Sequence, residues 1–179
     1  MNLVFFDLES QNLFQDVGGR DRLGYLRLSC GVTFSSKRND FAVYWEKDVL
    51  ELIAELENAD RVIGFNVIAF DYQVLQPYAP NFNFHALRTI DMLKDIHRTL
   101  GFRVSLDSVA EASLGATKLA DGVQAVEWFR AGEMEKLVEY CKQDVEITRQ
   151  VFEFGQKNGY LLYRSKLGSK LKVAVNWRM

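Results

Sequence analysis

The run Leu3-Val4-Phe5-Phe6-Asp7-Leu8-Glu9-Ser10 constrains this chain more than any other stretch. It is apolar, rich in β-formers, and ends in two acids. Side chains alternate faces along a strand, so Asp7 and Glu9 share one face while Phe6 and Leu8 share the other. A strand this apolar reads as central, covered on both faces of its sheet. Two carboxylates on one face of such a strand repel each other and resist desolvation. A divalent cation bound by both relieves that conflict. The alternative is that the strand ends at Glu9 and the acids are solvated edge charges.

Along the chain, residues 11–22 are polar, contain Gly18-Gly19, and read as a loop. Strands are expected over Leu23 to Phe34 and Phe41 to Trp45, which would make an antiparallel meander with the first. Val49, Leu50, Leu52, Ile53 and Leu56 recur at helical spacing, giving a helix over about Lys47 to Asn58. A short strand at Arg61 to Asn66 leads to a helix from Phe70 to Gln76, stopped by Pro77 and Pro80. Phe84 to Ile90 reads as a strand and Asp91 to Leu100 as a helix closed by Gly101. Ser105 caps a helix running from Leu106 to Leu114 that ends at Gly115. A short helix over Val123 to Arg130 precedes the longest one, Glu133 to Lys157, which Asn158-Gly159 stops. Tyr160 to Tyr163 and Leu171 to Val175 form a last hairpin or a surface tail. Strands first and alternation afterwards predict an α/β mixed sheet, antiparallel then parallel, with helices on both faces.

With 179 residues, 48% of them hydrophobic, the chain suits one domain spanning 1–179. The net charge of −2 argues against binding nucleic acid by bulk charge alone, but leaves room for an enzyme whose metal-binding acids lower the total. From Lys157 onward there is no acid, while Lys157, Arg164, Lys166, Lys170, Lys172 and Arg178 are basic. That tail either lies along phosphates or forms a solvated basic edge. Cys30 and Cys141 lack metal-site spacing and read as reduced, semi-buried thiols. With no secretory pattern and no apolar run long enough for a bilayer, a cytoplasmic protein with no membrane contact is expected.

Two further stretches carry acids. In Gly64-Phe65-Asn66-Val67-Ile68-Ala69-Phe70-Asp71, Asp71 suits a helix start on dipole grounds, and Asn66 suits a turn. In Tyr140-Cys141-Lys142-Gln143-Asp144, residues four apart share a helix face, so Tyr140 and Asp144 can serve one site. Each has an ordinary structural reading when taken alone.

Together, D-x-E on a strand, N-x-x-x-F-D at a strand-to-helix turn and Y-x-x-x-D on a late helix resemble the DEDD superfamily of 3′→5′ exonucleases. Its members have a ribonuclease H-like fold and include polymerase proofreading domains. The tyrosine marks the DEDDy variant; where the DEDDh variant has histidine, this chain has Glu139. The resemblance covers roughly residues 3–154, including the middle stretches around Thr89-Ile90-Asp91 and Ser105-Leu106-Asp107. It extends to ribonuclease H-like nucleases often fused to helicases. It implies that Asp7, Glu9, Asp71 and Asp144 bind two Mg²⁺ or Mn²⁺ ions and that Tyr140 orients the attacking water. Leu8, Ser10, Asn66 and Phe70 would contact substrate or shape the site. The implied partner is a single-stranded 3′ end of DNA or RNA, with a helicase or polymerase as a further candidate partner. Asp91 and Asp107 read as helix-start charges. Phe65, Phe70, Tyr72, Phe102 and Trp128 are candidate stacking aromatics. The competing readings are a non-catalytic nucleic-acid-binding module on the same fold and an endonuclease.

Overall fold

The computed structural model describes residues 1–116, 122–165 and 167–177. Its main sheet has five strands in the order β3-β2-β1-β4-β5. These are β1 (Leu3–Ser10), β2 (Leu28–Ser35), β3 (Asp40–Trp45), β4 (Arg61–Gly64) and β5 (Thr89–Asp91). The β1–β2 and β2–β3 pairs are antiparallel, and β1–β4 and β4–β5 are parallel. The expected mixed sheet is therefore found, with β1 as its middle strand.

Alternation along β1 sends its side chains into two separate cores. Val4, Phe6 and Leu8 pack with Leu52 and Leu56 of helix α1 (Val49–Glu57) and with Tyr72 and Leu75 of α2 (Asp71–Leu75). Phe5 faces the opposite side, where its ring meets the edge of Phe152 at 5.7 Å. Phe152 belongs to the long helix α6 (Met134–Asn158), which covers β1, β2 and β4. Three further helices, α3 (Met92–Leu100), α4 (Leu106–Leu114) and α5 (Gly122–Ala131), complete that layer. Helix ends follow the local chemistry: Ser105 Oγ accepts the Ser108 N–H at 3.1 Å, and Gly101 and Gly115 close α3 and α4 in the left-handed conformation.

Two expected strands are shorter than their apolar runs. Leu23–Tyr25 is a single 3₁₀ turn, and Arg27, at φ +57°, separates it from β2. Leu26 is buried in the α1/α2 core and Gly24 lies tight against Pro77, so tertiary packing turns this segment out of the sheet. Phe84–Ala86 is likewise a 3₁₀ turn, its start held by Asn83 Oδ1 accepting from the His85 N–H. Phe84 stacks on Tyr72 in the same core, and β5 keeps only Thr89–Asp91.

At the C-terminal end, β6 (Tyr160–Arg164) and β7 (Lys170–Ala174) form an antiparallel hairpin against α4 and α6. Several of the tail's basic groups have partners within the chain. Arg164 pairs with Glu111 at 2.7 Å, Lys170 Nζ donates to the Ala112 carbonyl at 3.1 Å, and Lys172 Nζ sits 3.7 Å from the centre of the Tyr160 ring. Lys166 and Arg178 lie outside the described residues. No helix among the described residues is long and apolar enough to cross a membrane.

Candidate active site

A cleft of about 730 Å³ opens where β1 ends, and Asp7, Glu9, Asp71 and Asp144 all line it. Each arrives by a different local route. Asp7 and Glu9 project from the α6-facing side of β1, and a register shift after Glu9 bends the strand end. Asp71 is the first residue of α2, and one of its oxygens accepts the Leu8 N–H at 3.2 Å, tying two of the sequence stretches together. Asp144 sits on α6, one turn beyond Tyr140, whose phenol is close enough to be pushed up by it, although Tyr140 itself lines a separate groove beside Trp128.

The electrostatics of this group are unfavourable without a cation. Burial pushes the Asp7 carboxyl well above the usual range, and Asp71, Asp144 and Glu9 push it further. Glu9 is only 8% exposed, and burial, then Asp144, raise its carboxyl as well. Among the described residues no N–H or O–H donates to the Glu9 carboxylate. Burial takes Asp71 up to about 7, with Asp91 adding repulsion and two backbone N–H groups opposing it. Tyr140 is shifted upward by burial and by Asp144, Glu9 and Asp7, so its phenol stays protonated at neutral pH and acts as a donor.

The donor set fits a hard divalent cation. Convergent carboxylates that destabilise one another through burial and repulsion are the ligands Mg²⁺ or Mn²⁺ prefer. Ligand atoms of Asp7, Glu9 and Cys141 all lie within 4.8 Å of one another. Cys141 is on the core side of that group. It is fully buried, and its sulfur lies 3.6 Å from the Asp7 carbonyl oxygen and 3.9 Å from Oδ2. Burial, Cys30 and the acids raise its thiol, which favours the neutral form. Both cysteines are free and completely buried rather than semi-buried, because β2 sets Cys30 opposite Glu9 and α6 closes over it.

The substrate-contact candidates divide. Ser10, Asn66 and Phe70 line the cleft. Leu8 borders it too, but its side chain is buried in the α1/α2 core. Of the aromatics, Phe65 and Phe70 face the cleft, while Tyr72 is core, its hydroxyl paired with Thr89 at 2.7 Å. Phe102 packs on Tyr163, and Trp128 packs on Tyr140 beside a separate shallow groove.

Some contributors lie outside the three motifs. Asp91 is more than a helix-start charge. Its carboxylate accepts from the N–H groups of Asn66 at 2.9 Å, Ile68 at 3.1 Å and Lys94 at 3.2 Å. It thereby holds the turn in which Asn66 adopts φ +74° and caps α3 as well. The Asn66 side chain in turn accepts from Arg103 Nη2 at 2.7 Å. Phe14 and Arg20, from the polar loop after β1, form part of the cleft wall. Arg103, Phe14 and Arg20 carry no spacing that the sequence alone could flag.

The model of the RNase H superfamily matches residues 4–154. The chain belongs to the RNase H superfamily. That assignment brings a nuclease fold, and RNase H-like nucleases generally use divalent metals, in keeping with the acidic group around Asp7 and Glu9. No curated protein matches the chain. Among solved structures it is similar to the family B DNA polymerase from the hyperthermophilic archaeon Pyrobaculum calidifontis. The TM-score is 0.68 and the identity 17%, over 87% of this chain and 24% of the polymerase. The chain thus spans about a quarter of the polymerase's length, and the likeness is one of fold.

Proposed function

We propose that this RNase H superfamily member is a 3′→5′ exonuclease of the DEDDy type, hydrolysing phosphodiester bonds from the 3′ end of single-stranded DNA or RNA. The observation that carries the reading is the meeting of Asp7, Glu9, Asp71 and Asp144 in one cleft, with the Tyr140 phenol near enough to feel Asp144, Glu9 and Asp7. Asp7, Glu9, Asp71 and Asp144 would hold two divalent ions, which when bound supply an activated water and offset charge on the leaving oxygen.

The remaining work falls to the chain. The Leu8 N–H fixes the orientation of Asp71, and the Asp91-held turn keeps Asn66 and Phe70 beside it. Tyr140, a protonated phenol, holds a water by hydrogen bonding and takes no proton from it. Phe65 and Phe70 offer apolar surface to the unstacked base at the strand end, and Ser10 and the backbone around Leu8 offer polar contacts to it. A polymerase as structural neighbour is consistent with a role beside a polymerase.

Comparing a linear single strand with a covalently closed circle of the same sequence tests the reading. Degradation of the linear strand alone is expected. Cutting of the circle at a similar rate would make the protein an endonuclease. Binding of both without any cleavage would make it a non-catalytic module.

A further inference from the structure

The loop between β1 and β2 lies outside every acidic motif, yet Asn12, Leu13, Phe14, Gln15 and Arg20 build one wall of the cleft. It is anchored at both flanks. Gln11 Nε2 donates to the Leu28 carbonyl at 2.8 Å and to Glu46 at 2.9 Å. On the far side Arg130 of α5 pairs with Asp16 at 2.7 Å. A loop pinned in this way holds its inward side chains at a set distance from the acids.

Two of those side chains form a unit with Phe70. The Phe14 and Phe70 rings meet edge to face at 6.1 Å, and the Arg20 guanidinium lies 4.8 Å from the centre of the Phe14 ring. Both rings remain partly exposed on the cleft, although each is large and apolar. Among the described residues Arg20 is the one basic residue lining the cleft, beside four acids, and no carboxylate among them pairs with it. An aromatic surface and an unpaired guanidinium facing the same space match a nucleobase and its adjoining phosphate.

We infer that Phe14 and Arg20 clamp the terminal nucleotide of the strand: the base stacks at the Phe14–Phe70 corner and Arg20 holds a phosphate. Phe14 sets affinity without reading sequence, because every base presents a π-face. Arg20 offsets the repulsion between the acidic cleft and the incoming backbone. This inference rests on the exonuclease reading and assigns its terminal-nucleotide contacts to the loop.

The test measures binding of a 5′-fluorescein-labelled oligonucleotide by anisotropy in Ca²⁺, and trimming of the same strand in Mg²⁺. One oligonucleotide has a normal 3′ nucleotide and the other ends in an abasic tetrahydrofuran residue. Phe14→Ala should weaken binding of the normal strand by about 5- to 150-fold. It should leave the abasic strand no weaker than wild type binds it, and Phe14→Trp should retain affinity for the normal strand. Arg20→Ala should lower the salt slope of log K by about 0.7, as expected for one lost phosphate contact on a single strand, and Arg20→Lys should restore it. Equal losses by Phe14→Ala on both strands, or an unchanged salt slope in Arg20→Ala, would overturn the clamp while wild-type trimming preserved the exonuclease reading. A wild-type protein that neither trims nor binds the normal strand would overturn both.

Discussion

Asp91 is the residue whose removal should unmake the local architecture of the site. Its carboxylate satisfies three backbone N–H groups, those of Asn66, Ile68 and Lys94, at 2.9, 3.1 and 3.2 Å. A hydrogen bond to a charged group contributes roughly 1.5–3 kcal/mol, and loss of an N-cap costs about 1 kcal/mol. Asn66, Ile68 and Lys94 are not fully buried, so water recovers part of the loss. The net cost of Asp91→Ala should then be about 3–5 kcal/mol. Asp91→Asn keeps one acceptor oxygen, which serves Asn66 and Lys94, but turns an NH₂ toward the Ile68 N–H. It should cost about 1–2 kcal/mol. Urea unfolding of the metal-free proteins reads both values as shifts in midpoint at constant slope. If Asp91→Ala lay within about 0.5 kcal/mol of wild type, the range of an ordinary surface substitution, the carboxylate would not hold this turn.

Without divalent ions, stability should fall as pH rises from about 4 to about 7. The folded state keeps a proton on Asp71 up to about 7, whereas the unfolded chain releases it near the ordinary value of 3.8, so folding binds protons across that window. A melting temperature in EDTA that rose over the same range would contradict the assignment, and adding Mn²⁺ at pH 7 should raise it. Asp7→Ala, Asp71→Ala or Asp144→Ala should each lower turnover by about 100-fold or more, the scale seen when a charge-stabilising group is lost. Near-wild-type rates in any of them would remove that acid from the site. Tyr140→Phe should slow turnover while leaving Mn²⁺ affinity, read by calorimetry, unchanged; an unaltered rate would reduce the hydroxyl to a structural role. Gly155→Ala would drive a methyl into the Trp177 ring, which stacks on Phe152 at 5.4 Å and donates Nε1–H to Asp95 at 3.0 Å. Although alanine favours helix by about 1 kcal/mol, the variant should be destabilised and its tryptophan emission shifted to the red.

Where the sequence reading succeeded, local chemistry and tertiary structure agree. The apolar alternation of Val4, Phe6 and Leu8 against Phe5 requires a strand with two cores, and the fold supplies both. Ser105, Gly101 and Gly115 bound helices by their own hydrogen bonding and backbone freedom, so their positions were readable without partners. The four acids were grouped by a three-part family pattern and not by any local chemistry; Asp7, Glu9, Asp71 and Asp144 all line one cleft, and their role there is a proposal. The failures come from contacts distant in sequence. Leu26 and Phe84 look like strand residues, but each fills a core that a 3₁₀ turn reaches better than a strand would. The tail's basic run left a phosphate track and a solvated edge both open; what the sequence does not state is that Arg164 and Lys170 bond to α4, which lies more than fifty residues earlier. Asp91 sits at a helix start, as expected. Its bonds to Asn66 and Ile68 depend on β4 and β5 being neighbours, which the sequence does not state.

The measurement that bears most directly on the account is a time course on 5′-labelled single-stranded DNA and RNA in Mg²⁺, Mn²⁺ or EDTA, with Asp7→Ala alongside. The account predicts a ladder that shortens from the 3′ end with either metal and disappears in EDTA and in the variant. Intact strands with both metals, or a ladder that survives in EDTA or in Asp7→Ala, would contradict it.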